Sequence, residues 1–272
     1  MNLPPLENQS TAELFTSLLQ VMDELRGPNG CPWDKKQTPE SLLPCLLEET
    51  YEVIEAIDAK NPQSLREELG DLLLQVVFHS RIGKESGEFE MRDVLIQLID
   101  KLVRRHPHVF AKGEVKEAEA ALRQWEEIKS TEKDPKESRL AGVPLQLPAL
   151  ARAERLGAKA SRAGFDWPDA HGVLAKVGEE LQELHQEIAA QSAEQIEEEF
   201  GDLLFSLAQT ARFLKVHPEE ALRKSTLKFQ RRFEKLEADL RGQGKKISDC
   251  SPQELDRLWE AAKSSTNAVK KL

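Results

Sequence analysis

The chain carries one unit twice, and this duplication limits its possible folds more than any other feature. Glu48, Glu49 and Glu52 recur as Glu179, Glu180 and Glu183 at an offset of 131 residues. At the same offset Glu67, Glu68, Gly70, Asp71, Leu72 and Leu73 recur as Glu198, Glu199, Gly201, Asp202, Leu203 and Leu204. From residue 48 to 82, 12 of 35 positions are identical without a gap, more than shared composition supplies. With small shifts Trp33-Asp34 resembles Asp166-Trp167, Lys101 and Arg105 resemble Lys228 and Arg232, and Trp125-Glu126 resembles Trp259-Glu260. Between the copies, Thr131 to Pro148 holds Pro135, Gly142, Pro144 and Pro148 among mixed charges. Each proline pushes the residue before it away from the helical region. The expected organisation is a first repeat over 1–135, a linker over 136–148 and a second repeat over 149–272.

Each repeat reads as four or five helices. In the first they are expected at about 11–26, 40–59, 63–85, 91–105 and 115–130, separated by breakers such as Gly27-Pro28-Asn29-Gly30 and Asn61-Pro62. No stretch shows the alternating β-branched pattern of a strand. The predicted fold class is all-α: two tandem helical bundles related by internal duplication.

Composition removes several function classes. A net charge of −10 disfavours a nucleic-acid partner, since a phosphate backbone calls for clustered bases. The longest apolar stretch, Leu72 to Phe78, is interrupted by Gln75, so no membrane span is expected. Met1 to Pro5 lacks the charged start and apolar core of a signal peptide. Cys31, Cys45 and Cys250 form no CxxC, which points to a reducing cytoplasm rather than a disulfide or zinc framework.

The chemistry-bearing residues are carboxylates. Glu49 and Glu52 share a helix face, as do Glu68 and Asp71 on the next helix, and a short antiparallel turn would bring the two faces together. The second copy offers Glu180, Glu183, Glu199 and Asp202 at the same spacing. An acid-rich helix face is most often simply solvated. Here, though, the acids open a segment that is apolar nearly all round (Leu65, Leu69, Leu72, Leu73, Val76, Val77, Phe78), which predicts a buried helix. Several like charges buried together call for a cation. Oxygen donors without Cys or His suit Mg²⁺, with Mn²⁺ as the alternative. None of the six histidines follows a Glu by three residues, which argues against a ferritin-like di-iron oxidase.

The fourth helix of each copy is basic: Lys101, Arg104 and Arg105 in the first, Lys224, Lys228, Arg231 and Arg232 in the second. Bases beside a metal–carboxylate group are what a polyphosphate requires. Trp125 and Trp259 either stack on a base or fill core. No Gly-rich P-loop is present.

Glu-Glu-x-x-Glu followed by Glu-x-x-Asp on successive helices, twice, resembles the MazG nucleoside triphosphate pyrophosphohydrolases. So do Cys31-Pro32-Trp33-Asp34, Leu47 to Glu52, Glu68 to Leu73 and Arg104 to Phe110. The resemblance implies an all-α bundle that dimerises, binds Mg²⁺, and cleaves NTPs and dNTPs to NMP and pyrophosphate as a nucleotide-pool housecleaning enzyme. Metal ligands would be Glu49, Glu52, Glu68 and Asp71, and Glu180, Glu183, Glu199 and Asp202. A carboxylate outside the tightest metal shell, or a metal-bound hydroxide, would activate water, and Lys228 and Arg232 would offset charge on the leaving pyrophosphate.

The copies differ in their bases. Lys176 lies one turn before Glu180, whereas its counterpart is Cys45; Lys224 extends the stripe of Lys228 and Arg232, whereas its counterpart is Gln97. The second copy is therefore expected to carry most of the catalysis, with Glu180, Glu183, Glu199, Asp202 and Lys228 as reacting-centre residues. Lys176, Glu179, Lys224, Lys228, Arg231, Arg232 and Trp259 would bind substrate, with Lys101, Arg105 and Trp125 as their first-copy equivalents. The competing reading is a non-catalytic helical module that senses nucleotides or docks a protein.

Overall fold

Capping and turn residues set the helix boundaries. The computed structural model describes residues 5–111, 117–132 and 137–268, and among these every regular element is helical, with no strand. The expected all-α class is therefore correct. In the first copy α1 (Thr11–Leu25) starts at a capping box: Glu13 N donates to Ser10 Oγ, and Ser10 N donates to Glu13 Oε2 at 2.7 Å. It stops at the Gly27–Gly30 turn, where Cys31 N donates to Leu25 O at 2.8 Å. A Cβ on Gly30 would collide with that carbonyl, so the turn demands glycine.

Next come α2 (Leu43–Asp58) and α3 (Pro62–Ser86), joined by a three-residue connection. Lys60 there has φ 52, and Asn61 caps α3 by accepting from Gln63 N and Ser64 N. Pro62 occupies the first helical turn, where its missing N–H is harmless. α3 ends at Gly87 with φ 72. α4 (Met91–Arg105), the single turn α5 (Pro107–Phe110) and α6 (Ala118–Thr131) complete the copy. The predicted start of the last helix, 115–116, lies outside the described residues.

The second copy repeats the plan with α7 (Ala149–Arg162), α8 (Ala170–Ala190), α9 (Ala193–Phe213), α10 (Pro218–Gly242) and α11 (Pro252–Ala268). The α8–α9 hairpin turns on Gln191 at φ 59, as α2–α3 turns on Lys60. The chain divides into two units, Met1–Lys133 and Asp134–Leu272. Of the segment read as a linker, residue 136 lies outside the described residues; residues 137–148 form no helix and belong to the second unit, where Lys159 Nζ donates to Ala141 O.

The first unit's core is Met22, Leu42, Val77, Phe78 and Met91, joined by Phe15, Leu74, Ile82 and Val94. It lies along the C-terminal half of α3. The N-terminal half, which holds the acids, leaves Leu69 and Leu73 exposed, and Val76 just beyond the midpoint is exposed too. The expectation of a helix buried all round therefore holds for Val77 and Phe78 but fails for Leu69, Leu73 and Val76, which α1, α2 and α4 leave uncovered where they pack on α3. The second unit buries Ala153, Val173, Leu184, Ala208, Leu236 and Leu240, while Phe200, Leu204 and Leu207 on α9 stay exposed at positions equivalent to Leu69, Leu73 and Val76.

Two ion pairs tie the tryptophan-bearing loops to these frames. Buried Arg26 grips Glu85 on α3 through Nε–Oε1 at 2.9 Å and Nη2–Oε2 at 2.6 Å, and Nη1 donates to the carbonyls of Asp34 and Gln37. This fixes the Cys31–Asp34 loop. In the second unit Arg212 holds Asp166 by two bonds, at 2.6 and 3.1 Å, and also donates to Gln209. Gln209 is 1% exposed and donates to Ala153 O at 2.8 Å. It fits there because position 157 is glycine, and a Cβ would strike its amide. Arg26 keeps the Glu85 carboxyl below the usual carboxylate range, and Arg212 does the same for Asp166.

Candidate functional site

Each helical hairpin presents acids from both of its arms. On α2, Glu49 and Glu52 are one turn apart; on α3, Glu68 and Asp71 are likewise spaced. The tight Lys60–Asn61 turn packs the arms together, so that one carboxylate oxygen each from Glu49, Glu68 and Asp71 lies within 4.8 Å of the others. On α8 and α9 the equivalent Glu180, Glu199 and Asp202 meet the same limit. Three of the four acids expected in each copy are thus brought together. Glu52 and Glu183 stand beside these groups, outside the mutual distance.

Their charges still reach the groups. Burial, then the charges of Glu183, Glu180 and Asp202, pushes the Glu199 carboxyl above its usual range. Glu68 is raised by burial, then by Glu52, Glu67, Asp71 and Glu55. Glu49 is raised by burial, by the Asp71 and Glu52 charges, and by a hydrogen bond shared with Glu52. The contribution of Glu55 escaped sequence reading, although it sits one turn beyond Glu52. Carboxylates so placed repel one another and lose hydration, and a hard divalent cation removes both penalties.

The copies part company at the cation. Lys176 Nζ lies 2.7 Å from Glu180 Oε1 and 2.8 Å from Glu179 Oε1. Glu180 is 5% exposed, a burial that its lysine partner makes affordable. The two carboxylates hold the Lys176 ammonium well above the usual lysine range. In the first copy Cys45 stands in its place, half-buried and with a free thiol.

The remaining predicted binding residues sit on the fourth and last helices. Lys224, Lys228 and Arg231 are exposed along α10, Lys224 with Glu220 3.9 Å away, and Arg232 is half-buried. Trp259 on α11 packs its ring 5.1 Å from that of Phe229, next to Lys228. In the first unit Lys101 is exposed on α4, while Arg105 is already engaged: its Nε donates to Glu132 at 3.2 Å and its guanidinium lies 5.3 Å over the Trp125 ring. Lys129 covers the same ring at 4.8 Å. Arg105 is therefore held by both Trp125 and Glu132, an arrangement spacing alone did not reveal because Glu132 lies 27 residues from Arg105.

Residues 37–110 and 169–236 each match the MazG nucleotide pyrophosphohydrolase domain. The chain is 49% identical over 251 residues to the nucleoside triphosphate pyrophosphohydrolase/pyrophosphatase MazG of Thermotoga maritima, covering 92% of this chain and 96% of that protein. It is 41% identical to the nucleoside triphosphate pyrophosphohydrolase of Escherichia coli, covering 90% of this chain and 95% of its relative. The chain belongs to the MazG family.

The two MazG matches take in both acidic hairpins, Lys176, and the bases of α4 and α10. They leave out Trp125, Trp259 and the Cys31–Asp34 loop. The elements common to the two copies and to the MazG domain are therefore the carboxylates and the bases that follow them. No helix among the described residues is long and apolar enough to cross a membrane.

Proposed function

We propose that this MazG protein is a Mg²⁺-dependent nucleoside triphosphate pyrophosphohydrolase of the cytoplasm, converting NTPs and dNTPs to NMP or dNMP and pyrophosphate. The observation that carries the reading is the twofold convergence of Glu, Glu and Asp oxygens within 4.8 Å in a chain of this family. The donors are oxygen only, as a hard cation requires, with Mn²⁺ an acceptable substitute. Glu180, Glu199 and Asp202 would hold the cation in the second copy and Glu49, Glu68 and Asp71 in the first. When bound, it supplies electrophilic activation of the phosphate oxygens and neutralises their charge.

The chain's own residues do the rest. Glu183, the acid left outside the close group, would take the proton from an attacking water, with Glu52 its first-copy counterpart. Lys224, Lys228, Arg231 and Arg232 offer four positive side chains along α10 against charge growing on the departing pyrophosphate. Trp259, packed on Phe229 next to Lys228, would serve as a wall for the nucleoside. Analysis of products from each NTP with Mg²⁺ tests the reading: NMP and pyrophosphate support it, and no turnover of any triphosphate would favour the nucleotide-sensing alternative.

The reading includes a homodimer. The exposed apolar stripes Leu69–Leu73–Val76 and Phe200–Leu204–Leu207 flank the acids, and α4 exposes Leu95, Leu98, Ile99 and Leu102. Helix faces of this kind need cover. Light scattering at micromolar concentration is expected to give twice the 30.7 kDa chain mass. A single-chain mass would rule the dimer out.

A further inference from the structure

The second acidic group already holds a cation of its own. Lys176 projects from α8 one turn before Glu180, and its ammonium sits between the Glu179 and Glu180 carboxylates at 2.8 and 2.7 Å. Glu180 belongs to the group of three converging oxygens, so the lysine is bonded to one of the very acids that a metal would use. The Lys176 side chain is 37% exposed while that of Glu180 is 7% exposed, so the lysine reaches inward from a position with room to swing out. Among the described residues the first acidic group shows no such lysine: Cys45 stands at the matching position and Glu49 shares its hydrogen bond with another acid, Glu52.

We infer that Lys176 is the resident counter-cation of the second group, and that it yields this place only when a triphosphate arrives to accept it, so that divalent metal and nucleotide load together. A divalent ion on Glu180 and an ammonium on the same carboxylate repel each other, so bare metal binds weakly while the lysine stays. Phosphate oxygens beside the metal would give the ammonium a new partner in place of the carboxylates. Metal and nucleotide then raise each other's affinity, as linkage requires. The first group, without a lysine, takes bare metal more readily and gains less from nucleotide. The inference rests on the metal-binding reading above, and goes beyond it by assigning an order of loading to one copy.

The test uses Mn²⁺ as a paramagnetic probe, titrated into full-length protein and followed by the loss of the free-ion EPR signal, without nucleotide and then with a non-hydrolysable α,β-methylene triphosphate. In an Asp71→Asn background, which silences the first group, Lys176→Met is expected to tighten bare Mn²⁺ binding about tenfold, the scale for removing a unit charge near a divalent ion under strong solvent screening. The same variant should lose most of the enhancement by the nucleotide analogue. In an Asp202→Asn background, Cys45→Lys should weaken bare Mn²⁺ binding at the first group. Unchanged or weaker Mn²⁺ binding in Lys176→Met, while Asp202→Asn abolishes binding at the second group, would overturn the role of Lys176 and leave the metal site standing. Absence of Mn²⁺ binding in every variant, with and without the analogue, would overturn the metal reading itself. Circular dichroism spectra of each variant confirm that the helices are intact.

Discussion

Glu183→Ala is expected to lower kcat/KM for a nucleoside triphosphate by about a hundredfold or more, while Glu52→Ala leaves it within about threefold of the parent. Both copies bring three carboxylates together, so the metal ligands do not separate them. The bases do. The second copy adds Lys176 at its acidic group and Lys224 on α10, where the first has Cys45 and Gln97. A charge-assisted contact contributes on the order of 1.5–3 kcal/mol, so two of them separate the copies by at least about a hundredfold. Glu52, the first-copy counterpart of the proposed base, also shares a hydrogen bond with Glu49, which would weaken it in that role. Its basic helix is also diverted, with Arg105 bonded to Glu132 and stacked on Trp125. Assays of both variants on one triphosphate, after thermal melts show that both are folded, decide the matter. Full turnover in Glu183→Ala with loss in Glu52→Ala would assign catalysis to the first copy.

Chelation with EDTA should abolish turnover, and Mg²⁺ or Mn²⁺ should restore it. The electrostatics add a pH signature. Glu49, Glu68 and Glu199 have carboxyls raised by burial and by neighbouring acids. In the window just above the ordinary carboxylate range, the folded metal-free protein therefore binds more protons than the unfolded chain, and this contribution to stability falls as pH rises through the raised values. A divalent cation binds the charged form, stabilises the folded state, and competes with those protons. The increase in Tm on adding Mg²⁺ is thus expected to be larger at pH 7 than at pH 5, with apparent metal affinity falling towards acid. Equal increases at both values, or turnover undiminished in EDTA, would contradict the assignment.

Much of this was legible in the sequence, for physical reasons that differ from residue to residue. The helices were readable because Ser10, Asn61-Pro62 and Gly27–Gly30 act locally, through caps and turns a few residues long. The carboxylate groups were readable because each pair is one helical turn apart and the same spacing occurs twice. Even the Lys176–Glu180 pairing follows from an i, i+4 step. Hidden were the contacts that join distant segments: Arg26 to Glu85 across 59 residues, and Arg212 to Asp166 across 46. Also hidden was the fit of Gln209 against Gly157, since neither residue type signals it alone. The apolar run from Leu65 to Phe78 suggested full burial, yet a periodic pattern records which positions seek cover without saying whether this chain or a second copy supplies it.

Isotope labelling tests the central claim most directly. Attack of water on the α-phosphorus forms one P–O bond there and breaks the bond from that phosphorus to the oxygen bridging to the β-phosphorus, which departs with the pyrophosphate. Turnover of a nucleoside triphosphate in H₂¹⁸O with Mg²⁺, analysed by mass spectrometry, should place one ¹⁸O in the NMP and none in the pyrophosphate. Label in pyrophosphate would move the attack to the β-phosphorus, and label in inorganic phosphate with NDP as the co-product would make the protein a different hydrolase.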